Sequence, residues 1–145
     1  MKNLFLLFLG CCMFSSCGSK KETLTTINRE ANRSTVNIDP FFDITENAPD
    51  DTYGLIGENP VKVGGQSPSN QRRYLASLAG PEGEIVSFNR KGSCCAYKSE
   101  NGFNGSALVD VYEVTYEGLK KPINIYISFY DLETLYIPKG FTKRM

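Results

Sequence analysis

Outside its first 17 residues the chain has two cysteines, and they are adjacent: Cys94 and Cys95. Neighbouring thiols can work as a redox or metal-responsive pair. They can also close a vicinal disulfide, an eight-membered ring that stiffens the surrounding loop, where the compartment is oxidising. Packing is the plainer account, with one thiol buried as a small apolar group and the other facing outward. Arg90, Lys91 and Lys98 are near in sequence and would lower a thiol pKa if they pointed at it.

Four tyrosines form the second candidate. Tyr112 and Tyr116 are spaced i, i+4, as are Tyr126 and Tyr130. On a strand, residues at that spacing share a face. A register that brings the two pairs together builds an aromatic surface suited to a sugar ring or a protein partner. Cross-strand packing within the sheet is the competing use of the same rings. Glu113 and Glu117 also share a face, but about 13 Å apart at a ~3.3 Å rise per residue. A paired-carboxylate acid–base device needs roughly 5–9.5 Å, so these read as solvated charges.

The chain has no histidine. That removes the commonest general base and metal ligand, and with it Ser-His-Asp and Cys-His catalysis within the chain. A zinc site would have to use cysteine and carboxylates alone. Gly64-Gly65 is not followed by the Gly-Lys-Ser/Thr of a phosphate loop. No catalytic residue, metal site or cofactor is expected. Sixteen Lys and Arg balance sixteen Asp and Glu, so no basic field favours nucleic acid.

The N-terminus carries the most specific signal. Met1-Lys2-Asn3 is a short basic start, and Leu4 to Met13 is an apolar run. At about ten residues it is too short to span a bilayer, which takes roughly 20, and it suits a secretory leader. Phe14-Ser15-Ser16-Cys17 then resembles the lipobox of bacterial lipoproteins, with small residues where a signal peptidase must approach the backbone. The expectation is a signal peptide over 1–16 and acylation of Cys17. Phe8-Leu9-Gly10-Cys11 is a rival lipobox with a shorter apolar core. Residues 17–40 are the lipidated cysteine and a polar tether, closed by Asp39-Pro40. Residues 41–145 are the globular domain, large enough to bury one core.

Within that domain Phe41–Thr45 reads as a short strand or extended segment, and Val61-Lys62-Val63 as a strand after Pro60. Ser67-Pro68-Ser69-Asn70 starts the one clear helix, with Ser69 or Ser67 as its cap, Tyr74, Leu75, Leu78 and Ala79 at helical spacing and Gly80-Pro81 as its stop. Arg72, Arg73 and Ser77 are then expected towards solvent. Ile85, Val86 and Phe88 form a strand that Arg90-Lys91-Gly92 ends, and 93–105 reads as a loop. Ala107–Glu117 alternates, and so do Ile123, Ile125, Ile127 and Phe129, giving an antiparallel hairpin. Leu135–Ile137 adds a last strand. The expected class is α+β: a small, mainly antiparallel sheet with one helix packed on one face.

Several segments carry a family likeness. Tyr53-Gly54, Asn59-Pro60-Val61-Lys62-Val63-Gly64-Gly65, Asn70-Gln71-Arg72-Arg73-Tyr74-Leu75, Leu78-Ala79-Gly80-Pro81-Glu82-Gly83-Glu84, Lys91-Gly92-Ser93-Cys94-Cys95, Asp110-Val111-Tyr112-Glu113-Val114 and Pro138-Lys139-Gly140-Phe141-Thr142 resemble a family of small envelope lipoproteins of the Bacteroidota. The likeness runs from about 53 to 142 and includes the lipobox leader. The family has no established biochemical function, and its members are sometimes labelled 2-dehydro-3-deoxyphosphooctonate aldolase. That chemistry resembles a (β/α)₈ barrel of typically ~250 residues. A domain under half that size, with one helix and no histidine, does not fit it.

Together these readings place the chain in the cell envelope, lipid-anchored, at the outer membrane on its periplasmic or surface face. The expected partners are the membrane, through the anchor, and an envelope protein or glycan. The expected role is a non-catalytic binding or structural module. The alternative is a small thiol- or redox-active envelope enzyme using Cys94 and Cys95.

Overall fold

The computed structural model describes residues 41–145. The leader, Cys17 and the tether expected over 1–40 lie outside the described residues. The elements are β1 (Val61–Lys62), α1 (Pro68–Ala76), β2 (Leu78–Ala79), β3 (Ser87–Phe103), β4 (Ser106–Thr115), β5 (Ile123–Ser128) and β6 (Thr142–Lys143). They make an α+β domain. One sheet has the order β1-β5-β4-β3, and β2 pairs with β6 in a second. All pairs are antiparallel except β1 with β5. Among the described residues no helix is long and apolar enough to cross a membrane.

The β4–β5 hairpin is the centre of the fold. Asp110 faces Ile127, Tyr112 faces Ile125 and Val114 faces Ile123. These six turn to one side of the sheet, because directly opposed residues share a face. Helix α1 packs there. Ser67 caps its start, its hydroxyl accepting from the Ser69 N–H, and Pro68 occupies the first turn, where a missing N–H costs nothing. Gln71, Tyr74 and Leu75 form the buried stripe of the helix. Tyr74 and Leu75 join Val61, Val114, Ile125 and Ile127 in one apolar cluster.

The helix stops three residues before the expected Ala79. The Ser77 hydroxyl donates to the Tyr74 carbonyl at 2.6 Å, and Leu78–Ala79 leave the helix to pair with Thr142–Lys143. That distant partner outbids the local pattern. Arg72 is exposed as expected, but Ser77 is buried and Arg73 half-buried, its guanidinium 4.5 Å from the centre of the Phe42 ring. Phe41–Thr45 belongs to no strand; Arg144 and Arg73 lie over the Phe41 and Phe42 rings, and Lys143 reaches Asp43. The strand expected at Leu135–Ile137 reduces to a single bridge between Ile137 and Asn47.

The largest correction is at 93–105. Instead of ending near Gly92, β3 runs on to Phe103 beside β4. Asn104 and Gly105 both have positive φ, 52° and 76°. They form the two-residue turn that matches the twist of a hairpin, so Phe103 and Ser106 pair across it. The strand reads as a loop because the register shifts three times along it, at Arg90/Gly92, Ser93/Ala96 and Lys98/Phe103. Each shift breaks the alternation of period two on which strand recognition depends.

Candidate functional site

The register also defines the second face of the sheet, away from α1. Its rows are read across β3, β4 and β5. Asn89, Glu113 and Asn124 form one row, and Gly92, Val111 and Tyr126 the next. Beyond them Cys94 and Cys95 together oppose the single residue Val109, and then Tyr97 pairs with Ala107. The Cys94-Cys95 step is therefore a β-bulge on the sheet's edge strand, not a loop.

Cys94 and Cys95 are joined by a disulfide, with their Cα atoms 3.7 Å apart. The packing alternative, one free thiol buried and one exposed, does not hold. Cys94 is exposed and Cys95 half-buried. The sulfur of Cys95 lies against the backbone of Gly57, so close that a Cβ added there would clash with it. Gly57 thus brings the 54–59 turn onto the bulge. Val109, beneath, is fully buried.

This contact gives a direct prediction. Gly57→Ala forces the new methyl into the Cys95 sulfur and costs about 1–3 kcal/mol, as overpacking does. In a Cys94→Ala/Cys95→Ala background the sulfur is gone. Only the Cβ at position 95 remains, 3.6 Å away in ordinary contact. The same substitution is then expected to cost less than about 0.5 kcal/mol. Thermal melts of the four proteins measure the coupling, and equal costs in both backgrounds would disprove the contact.

The four tyrosines do not meet on one surface. Tyr112 opposes Ile125 on the helix-covered face, whereas Tyr126 opposes Val111 on the other. Tyr112 is only 3% exposed, and its ring meets Phe88 edge-on at 6.3 Å. Tyr116 packs edge-on against Phe141 at 6.1 Å. Tyr130 follows β5 and stacks on Phe129 at 4.6 Å. A shared surface would need the β4–β5 pairing shifted by one residue, and that shift would expose Ile125 and Ile127.

Tyr126 is left on the outer face, half-buried beside a groove of about 370 Å³ that Gly92, Val111, Glu113 and Asn124 also line. Gly92 brings backbone and no side chain to this lining. At φ 150° its backbone favours glycine, and a Cβ there would meet nothing within 4 Å. Lys91, the extra residue of the first bulge, reaches Glu113 at 3.3 Å and closes one side. Outside the groove, beyond the Cys94-Cys95 bulge, Tyr97 pairs with Ala107 and donates to the Ser128 hydroxyl at 3.0 Å, with the Lys62 ammonium 5.2 Å from its ring centre. Burial pushes the Tyr97 phenol up to about 12, against the lowering effect of the Ser128 bond.

The polar cluster on the inner face has a different character. Gln71 is fully buried. Its amide donates to Asp110 and to the Ile127 carbonyl, both at 3.1 Å, and its carbonyl accepts from the Tyr112 hydroxyl at 3.0 Å. Asp110 also accepts from Arg90 at 2.8 Å and Ser93 at 2.6 Å. Burial raises the Asp110 pKa, but bonds from Arg90, Ser93 and Gln71 outweigh it, and the carboxyl sits below its ordinary value. Each group spends its bonds on the others, which ties α1 to β3, β4 and β5. No three metal-ligating side chains converge among the described residues.

Gly57, Gly92, Asn124 and the Lys91–Glu113 pair do not stand out in the sequence as parts of a site. The one local signal for them was Gly92 after two basic residues, read as a strand end when it marks a bulge. No protein-family model matches the chain, and no curated protein or solved structure matches it.

Proposed function

We propose that the chain is a lipid-anchored lipoprotein of the cell envelope, and that its domain is a non-catalytic binding module presenting the outer face of its sheet. The anchor rests on the lipobox at Cys17 and the short apolar run before it. The binding role rests on one observation. One sheet face is consumed by the core and α1, while the other carries the groove beside Tyr126. A half-buried ring bordered by hydrogen-bonding side chains is a common form of recognition surface. The absence of histidine and the wide separation of Glu113 and Glu117 also favour binding over turnover.

A site-resolved cross-link tests this. A photoreactive group is placed at Asn124, in the groove, or at Arg72, exposed on α1. In intact envelopes the Asn124 probe is expected to give discrete adducts that the Arg72 probe does not. Matching adducts from both positions, or none from Asn124, would remove the outer face from the proposal.

A further inference from the structure

We infer that the groove beside Tyr126 is a subsite for one uncharged pyranose ring of a glycan. The inference rests on the binding role proposed above and names its ligand class. Three features lead to it. The first is the aromatic wall. Tyr126 is held by its own strand, and its N–H donates to the Gly54 carbonyl at 2.8 Å, so the ring's base is fixed. A fixed aromatic ring can stack on the apolar C–H face of a sugar.

The second is the arrangement of polar groups. Glu113 and Asn124 are paired neighbours in the row next to Val111 and Tyr126. Their side chains therefore stand along one border of the ring's footprint. An amide and a carboxylate together donate and accept, which suits the hydroxyls of a pyranose. The floor is short, made of Gly92 and Val111, so a flat ring can descend between the wall and the bulge.

The third is charge. Lys91 and Glu113 neutralise one another at 3.3 Å, and the other lining groups named here carry no charge. An anionic ligand would have to compete with Glu113 for the one ammonium. A phosphate or uronate is disfavoured on that ground. A neutral ring leaves the pair intact and bonds its free lone pairs and protons. The volume of about 370 Å³ lies at the small end of ligand sites, which run ~300–1,000 Å³. It suits a monosaccharide unit, not a long chain.

The test is an amide NMR titration of the folded domain with three probes: a glucose tetrasaccharide, an N-acetylglucosamine tetrasaccharide and a galacturonate tetrasaccharide. At least one neutral probe is expected to shift Gly92, Val111 and Tyr126, with Kd on the order of 1 mM for one ring. The acidic probe is expected to bind at least about fivefold more weakly. Tyr126→Phe keeps the ring and stays within about twofold of the parent. Tyr126→Ala weakens binding about fivefold or more, by the size of a lost aromatic contact. Because Tyr126 is half-buried, the exposed Asn124→Ala is the variant that leaves the fold intact, and it is expected to cost about threefold. No groove shift with either neutral probe at about tenfold above the expected Kd overturns the inference. So does equal binding of the acidic probe, or an unchanged Kd in Asn124→Ala and Tyr126→Ala. If the sugars fail while Asn124 cross-links an envelope protein, the glycan is excluded and the binding role stands. If both fail, both readings fall.

Discussion

A Gln71→Ala domain is expected to melt about 12 °C or more below its parent. Gln71 has no solvent exposure and makes three hydrogen bonds, to Asp110, the Ile127 carbonyl and the Tyr112 hydroxyl. Truncation leaves those three groups short of a partner where water does not reach. A buried polar group left unpaired costs about 1–3 kcal/mol, and the vacated space adds to the loss as in other large-to-small changes. A total of about 3–5 kcal/mol corresponds to that drop, at ~4–8 °C per kcal/mol for a domain of this size. The partner change Asp110→Asn is milder, about 1–3 kcal/mol at pH 7, because Arg90 is half-exposed and can rehydrate. Its pH dependence follows from the lowered Asp110 pKa. A carboxyl with a folded pKa below its unfolded one, near ~3.9, contributes stability that is complete above the unfolded value. That stability disappears as pH falls through the folded value. The Asp110→Asn penalty is therefore expected to shrink as pH falls from 7 to below about 4. Urea unfolding at both ends of the range measures it. A Gln71→Ala domain within about 0.5 kcal/mol of the parent, or an Asp110→Asn penalty that does not change with pH, would show that the network is not held as described.

The second large effect concerns location. Cys17→Ser is expected to move nearly all of the chain from the membrane pellet to the soluble fraction and to abolish labelling by palmitate. Each buried methylene contributes about 0.8 kcal/mol, so two or three acyl chains anchor a protein in effect permanently. A serine in that place accepts none. Cys11→Ser discriminates between the two candidate lipoboxes. It is expected to leave labelling and sedimentation unchanged, since Cys11 would leave with the leader. A Cys17→Ser chain that stays labelled and pelleted, together with a Cys11→Ser chain that is released, would move the anchor to the earlier cysteine. Neither change releasing the chain would dispose of lipid anchoring altogether.

Much of the architecture is legible in the amino-acid sequence alone. The serine cap at Ser67 or Ser69 beside Pro68, which the fold resolves to Ser67, and the alternation through Ile123, Ile125 and Ile127 are signals carried by residues within a few positions of one another. The candidate site was legible only in pieces. Tyr126 and the Cys94-Cys95 step stood out by type and spacing. Asn124 and Gly92 did not, because an exposed asparagine and a glycine after basic residues are ordinary at strand ends. Nothing local tied Gly57 to Cys95, which lie 38 positions apart.

The α+β class, the capped start of the helix and the antiparallel hairpin were thus determined by the sequence itself, since capping and periodicity act over three or four residues. Tertiary structure decided the rest. It set which side of the sheet each tyrosine occupies and why α1 yields Leu78–Ala79 to Thr142–Lys143. It also carried β3 through three register shifts to Phe103. Those outcomes depend on pairing between distant residues, where a slip of one position turns every side chain to the opposite face, and only burial of the whole core selects the register.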